Sequence, residues 1–231
     1  LKKNLKNILK MSIDTTIIIP THNRQDLVGR AIRSVLKQSY SKDRYEVIVV
    51  DDNSKDNTKE VLKDFGDKII PIFLKKNLGI AGSSNVGIKK AMGQFIFRLD
   101  DDDYISEHTI LIMTEIMKAN PQIGFVYCDK VLFDKKGLEV RLETDTLDRL
   151  KRNGSGIMFR KSNLEALGLY DKNFKNAEDN ELMTRYIKNF DGYYLKLPLY
   201  KFFWHGKNMT YKKKARRRWE NKAYEKHFNY R

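Results

Sequence analysis

Phe95-Ile96-Phe97-Arg98-Leu99-Asp100-Asp101-Asp102-Asp103 sets four consecutive aspartates directly behind an apolar run. Like charges belong on a solvated loop, because each neighbouring pair at about 4 Å costs roughly 1 kcal/mol in water and more near a low-dielectric surface. Here the run is joined to a segment that reads as a core strand. Carboxylates gathered at a strand end need a cation, and clustered Asp oxygens suit Mg²⁺ or Mn²⁺ when substrate phosphates supply the remaining ligands. An acidic turn without any ligand is the plainer reading of the same residues, and the rest of the chain has to decide between the two.

Around this run the sequence alternates. Thr15 to Pro20, Glu46 to Val50, Ile69 to Leu74 and Gln94 to Leu99 read as buried strands, and Gln25 to Ser39, Asp56 to Phe65 and Gly79 to Met92 as helices. Leu27, Val28, Ala31, Ile32, Val35 and Leu36 share one face of the first helix. Continuous Ile and Val in the strands, alternating with amphipathic helices, predict an α/β fold with a mostly parallel sheet covered on both faces. Beyond the aspartates the spacing predicts a helix over Ser106 to Ala119 capped by Ser106, a strand over Ile123 to Leu132, and a charged irregular loop over Asp134 to Arg152 that covers the site. Gly156 to Arg160, a short helix at Ser162 to Leu167, a helix at Asp179 to Asn189 and aromatic segments at Tyr193 to Leu199 and Phe202 to Trp204 complete the reading.

The chain of 231 residues is long enough for one large domain, and its 41% hydrophobic and 32% charged residues are those of a folded protein. No stretch approaches the roughly 20 apolar residues of a membrane-spanning helix. The single cysteine, Cys128, sits in an apolar context, which excludes a disulfide framework or zinc cluster and fits a reducing compartment. The net charge of +15 is concentrated at the ends: residues 1–10 hold four Lys and no acid, residues 201–231 carry +9, and the body is nearly neutral. That distribution argues against a nucleic-acid groove through the fold and for an acidic surface touched by the termini. A basic helical extension over residues 1–12, a single domain over 13–210 and a basic amphipathic tail over 211–231 are expected, the tail either packed on the domain by Trp219 or lying on anionic lipid.

Ligands of open parallel sheets bind beyond the carboxyl ends of the strands. Pro20-Thr21-His22-Asn23-Arg24, Asp51-Asp52-Asn53-Ser54 and Asp100 to Asp103 all fall at such ends. A carboxylate at Asp52 can accept a hydrogen bond from a base N–H, and His22 offers a flat face for stacking. Read alone, Asp179 is a good helix N-cap.

These pieces, in this order, together with Asn77-Leu78-Gly79, Asn85 and Glu178-Asp179, resemble a family 2 glycosyltransferase of the GT-A fold over residues 15 to about 210. The resemblance implies a nucleotide-binding half at 13–104 and an acceptor-side half at 105–210. It implies that Pro20, Thr21, His22, Asn23, Arg24 and Asp52 form the nucleotide pocket, with Asn77, Gly79 and Asn85 beside it. It makes Asp100 and Asp101 neighbours of the nucleotide, Asp102 the metal ligand with Asp103 behind it or in its place, and His205 a further ligand of Mn²⁺ or Mg²⁺. Asp179 resembles the general base of an inverting transfer. The implied activity moves a sugar from a nucleotide diphosphate, UDP first among them, to a glycan or lipid-linked acceptor in surface polysaccharide synthesis, in the cytoplasm or at the inner membrane face. Lys76 and Lys207 are further candidates for the phosphates. Ser83-Ser84-Asn85 departs from the family's common Ala-Arg-Asn and removes one expected cation. A nucleotidyltransferase shares the sheet and the acidic site but calls for a Gly- and Lys-rich loop after the first strand, which Pro20-Thr21-His22-Asn23 is not.

Overall fold

The computed structural model describes residues 12–134, 136–143, 154–174, 177–205 and 208. The basic extension, the tail and Lys207 lie outside them. The first half alternates as expected: β1 (Thr15–Thr21), α1 (Val28–Leu36), β2 (Tyr45–Asp51), α2 (Thr58–Lys63), a 3₁₀ turn (Gly66–Lys68), β3 (Ile70–Phe73), α3 (Gly79–Lys90) and β4 (Phe95–Arg98). The second half contributes β5 (Tyr104–Ile105), α4 (Thr109–Ala119), β6 (Phe125–Phe133), β7 (Glu139–Glu143), β8 (Ile157–Arg160), α5 (Lys161–Ala166), α6 (Glu178–Tyr186) and β9 (Gly192–Phe203).

Among the described residues these strands form one sheet in the order β3-β2-β1-β4-β8-β6-β9-β5, with β7 attached to β6. β3, β2, β1 and β4 are mutually parallel. β8 runs antiparallel to both β4 and β6, and β6 and β9 are parallel. Both halves therefore share a single sheet. Successive strand residues serve opposite faces: Ile17, Ile19, Val47 and Val49 pack with α1 and α4, while Ile18, Ile48 and Val50 pack with Ile88 of α3 and Leu182 and Met183 of α6. Each such buried aliphatic side chain contributes about 1.5–3 kcal/mol. Helix α3 comes so close to β1 that a Cβ on Gly87 would stand 2.6 Å from Ile18 Cγ2.

Three expectations are corrected. The charged segment after β6 is not irregular throughout: Asp134 Oδ1 accepts from the N–H groups of Lys136 and Leu138, Gly137 takes φ 77°, and the chain turns back as β7. Residues 144–153 of that segment lie outside the described residues. The two aromatic segments near the end are one strand, β9, whose pairing to β6 slips between Cys128 and Lys130. That irregularity accommodates Pro198, which has no N–H for a ladder. Ser106 is not a side-chain cap; α4 begins at Thr109, whose N–H and hydroxyl both donate to the Ser106 carbonyl.

Candidate active site

Register brings the polar clusters to one edge. Thr21 pairs with Asp51, Asp51 with Phe73, and Ile18 with Arg98, so the chain leaves β1, β2, β3 and β4 at nearly the same level. Asn23 (φ 54°) and Asn53 (φ 63°) make the exits from β1 and β2 in the left-handed region, which Asn tolerates better than most residues. The loops lock together: Asn23 N–H donates to Ser54 Oγ at 2.9 Å and Lys55 N–H to Asn23 Oδ1 at 2.7 Å.

His22 is exposed, and both ring nitrogens are engaged in the ring plane, Nδ1 with the Asp52 carbonyl at 2.9 Å and Nε2 with Asn23 Nδ2 at 3.0 Å. A carbonyl only accepts, so Nδ1 carries the proton and Nε2 accepts from the amide. The ring faces remain available for stacking. Asp52 is buried and Oδ1 accepts the Leu78 N–H at 2.7 Å, while Asn77 Nδ2 reaches the Asp52 carbonyl at 3.3 Å. Burial lifts the Asp52 carboxyl above its ordinary range, against the pull of the Leu78 and Gly79 N–H groups. Gly79 opens α3 at φ 72°, a conformation that favours glycine. Pro20 and Thr21 are buried in β1 and contribute floor rather than reach.

Arg24 links this loop to the aspartate run through Nε, 3.4 Å from Asp101 Oδ1. The four aspartates then diverge. Asp103 is 1% exposed and turned inward, accepting from the Tyr200 hydroxyl at 2.7 Å and the Phe203 N–H at 2.9 Å. Burial, then the charges of Asp102 and Asp100, push it well above the carboxylate range. Both of its carboxylate oxygens are thus engaged with β9. Burial, with the charge of Asp102 next, lifts Asp101 to about 7. Antiparallel pairing of Tyr104 with Lys201 returns β9 alongside the run, so that His205 Nε2 comes to 2.9 Å from Asp102 Oδ2. Arg30 of α1 braces the corner, its guanidinium 3.8 Å from the centre of the Phe203 ring and bonded to the Asp102 carbonyl.

On the other side Arg98, at the end of β4, places Nη2 3.4 Å from Asp100 Oδ1 and donates from Nη1 to Glu178 Oε1 at 3.0 Å. Asp179 follows inside the first turn of α6, not at its N-cap, which is Ala177. Its Oδ2 accepts the Gly154 N–H at 2.9 Å and its Oδ1 the Asn180 N–H at 2.9 Å. A Cβ on Gly154 would stand 2.7 Å from Asp179 Cβ, so the Gly154 backbone packs directly against this side chain.

A model of glycosyl transferase family 2 matches residues 16–222. The chain belongs to that family. Over 166 residues it is 37% identical to a GalNAc(5)-diNAcBac-PP-undecaprenol beta-1,3-glucosyltransferase of Campylobacter jejuni, covering 65% of this chain and 52% of that protein. Over 179 residues it is 30% identical to the UDP-Glc:alpha-D-GlcNAc-diphosphoundecaprenol beta-1,3-glucosyltransferase WfgD of Escherichia coli, covering 75% of this chain and 70% of that one. The Staphylococcus aureus TarS fragment 1-349 crystallised with UDP-GlcNAc superposes with a TM-score of 0.73 at 24% identity, over 86% of this chain and 61% of that fragment, a likeness of fold. The GT-A architecture expected from sequence is thus established. The chain spans about half the length of several curated family members it matches.

One expected site residue has its side chain engaged within the protein. Asn85 does not face the nucleotide loops; it is 5% exposed and its amide is consumed by Tyr170, Nδ2 donating to the Tyr170 carbonyl at 2.8 Å and Oδ1 accepting its N–H at 3.0 Å. It lines a hollow together with Lys89, Glu165 and Arg185, apart from the aspartates and both site histidines. Among the described residues the hydroxyl of Ser84, where the family commonly has Arg, is buried without a hydrogen-bond partner, while Arg98 places a cation beside Asp100. Sequence reading missed Arg98 and Arg30 because neither belongs to a motif.

Proposed function

We propose that this chain carries the donor- and base-bearing part of an inverting, divalent-metal-dependent glycosyltransferase that moves a hexose from UDP to a hydroxyl of a polyprenyl-diphosphate-linked glycan. One observation carries the reading: the acidic run after β4 is joined directly to Arg24 of the His22–Arg24 loop on one side and, through Arg98, to Glu178 beside Asp179 on the other. The exposed His22 ring faces stack the base and Asp52 accepts from its edge. Family membership supports the reaction class, and the names of both glucosyltransferase relatives support a lipid-linked acceptor.

Asp102 and His205 would hold the ion. Their Oδ2 and Nε2 atoms already lie 2.9 Å apart, so both could address one cation. Among the described residues no group of three or more acidic, His or Cys side chains forms a cation site by itself, so an ion here would need further ligands from the donor's diphosphate or from water. When bound, the ion offsets charge on the departing diphosphate. Asp179, half-exposed and fixed by two N–H groups, takes the proton of the acceptor hydroxyl. Its place on α6, away from the Asp102–His205 pair, suits attack on the sugar from the face opposite the diphosphate, and a beta product from an alpha-linked UDP-sugar requires that inversion. The basic ends of the sequence suit work at an anionic surface, and no helix among the described residues is long and apolar enough to cross a membrane.

The test is thermal melting against UDP-, GDP-, dTDP- and CDP-hexoses, each with Mn²⁺, with Mg²⁺ and with chelator. A donor at a hundred times its Kd adds about 2.7 kcal/mol of stability. Stabilisation by UDP-glucose with metal and not with chelator is the expected result; a chelator-insensitive response removes the metal from the reading, and no response to any uridine nucleotide removes the donor.

A further inference from the structure

We propose that Arg98 is the positioning residue that holds the base-bearing end of α6 in register with the aspartate run; this rests on the reading of Asp179 as the base. The guanidinium is 7% exposed, too deep to meet a donor or acceptor itself. It lies between two carboxylates from distant parts of the chain, Asp100 Oδ1 at 3.4 Å and Glu178 Oε1 at 3.0 Å, and stacks near the Tyr170 ring, 5.2 Å from its centre. Glu178 is 3% exposed and adjoins Asp179 in the same helical turn. Fixing the Glu178 side chain therefore fixes where the Asp179 backbone can stand.

The cation is needed because the arrangement is otherwise repulsive. Asp100, Glu178 and Asp179 would face one another across a poorly solvated gap, where like charges repel several-fold more strongly than in water. The planar guanidinium with its fork of donors addresses both sides at once, which the single ammonium of lysine cannot do with the same geometry. Arg98 is also a β4 residue paired to Ile18, so its own position is set by the centre of the sheet. The nucleotide edge and the base are thereby referred to one rigid strand. A shift of the base by about 1 Å is enough to lower a transfer rate about 100-fold.

The variants are Arg98→Gln, Glu178→Gln, the double variant and Arg98→Lys, compared with the full chain for kcat with UDP-glucose and a lipid-linked acceptor, for UDP affinity with Mn²⁺, and for amide hydrogen exchange. Each single Gln variant is expected to lower kcat about 100-fold while the Kd for UDP moves less than about fivefold. The double variant, which removes the Glu178 charge together with its partner and so leaves only Asp100 without its arginine, guards against misfolding better than Arg98→Gln and is expected to lose about as much kcat as either single one. Arg98→Lys recovers only part. Exchange at Glu181 to Tyr186 rises in Arg98→Gln and stays unchanged in α3. Wild-type kcat in Arg98→Gln, or a loss confined to UDP affinity, overturns the inference. If the wild-type chain itself turns over no UDP-hexose, the functional reading fails, and unchanged exchange in α6 then overturns the positioning role separately.

Discussion

Asp179 has the simplest consequence of any side chain in the site. In Asp179→Asn the carboxylate that would take the acceptor proton is gone, and a general base contributes typically 10²–10⁴-fold. Single-turnover transfer should therefore fall by about 10³-fold, with UDP affinity, measured by calorimetry, almost unchanged. Equal losses in both would assign the residue to donor binding. The amide can still accept from one of Gly154 and Asn180, so the α6 turn persists. His205→Ala separates metal from nucleotide: the Kd for UDP in Mn²⁺ should rise about 10–100-fold, the usual range for disturbing a metal's surroundings, and match the wild-type value measured in chelator. A variant that keeps its Mn²⁺ dependence would remove His205 from the ligand set. At this scale the gathering of the candidate residues at one edge of the sheet was legible, because His22, Asp52 and Asp102 each follow an unmistakable strand. Arg98 was not. A lone arginine at a strand end reads as solvated, and only the placement of Glu178, 80 residues later, gives it a partner.

At the scale of elements the first half of the fold could be read from periodicity because its strands are apolar on both faces and its helices amphipathic. In the second half the positions of α4, β6, β8, α5 and α6 were also legible, but β7, the continuity of β9 and the pairing were not, since they depend on a slipped register and an Asx turn rather than on pattern. Asn85 illustrates the difference. Placed by motif beside the nucleotide, it instead ties α3 to the turn before α6, a turn also held by Arg185, whose Nη2 donates to the Leu169 carbonyl at 2.7 Å and to Glu181 Oε2 at 2.7 Å. Asn85→Ala leaves a buried N–H and a buried C=O of Tyr170 without partners, at about 1–3 kcal/mol each. A loss of about 2–6 kcal/mol in urea unfolding is expected from the two groups together, with UDP affinity retained in protein that remains folded. Weakened nucleotide binding at full stability would return Asn85 to the nucleotide site.

For the whole molecule the two ends of the sheet respond to pH with opposite sign. Asp14, at the amino end of β1, is buried; burial raises its carboxyl, but Arg44, Tyr40 and Lys118 outweigh it and the folded value lies below the ordinary one. A depressed carboxyl stabilises the fold above its unfolded pKa of about 3.9, and that contribution disappears as pH falls through the folded value. Asp101, at the carboxyl end, is lifted to about 7 by burial first and the Asp102 charge second. Its contribution is present below about 3.9 and disappears as pH rises toward 7, because the folded protein must then hold an ionised carboxylate in a crowded acidic site. The metal-free protein should therefore lose stability between about pH 4 and 7 on account of the very residues that would serve the donor. Asp101→Asn, unfolded in urea with chelator present, should exceed the wild type by at least about 1.4 kcal/mol at pH 8, the worth of one pKa unit, and the gap should close by pH 4. With Mn²⁺ and UDP the order should reverse, since the wild type alone gains the full binding energy. A constant gap at every pH would place the strain elsewhere in the run.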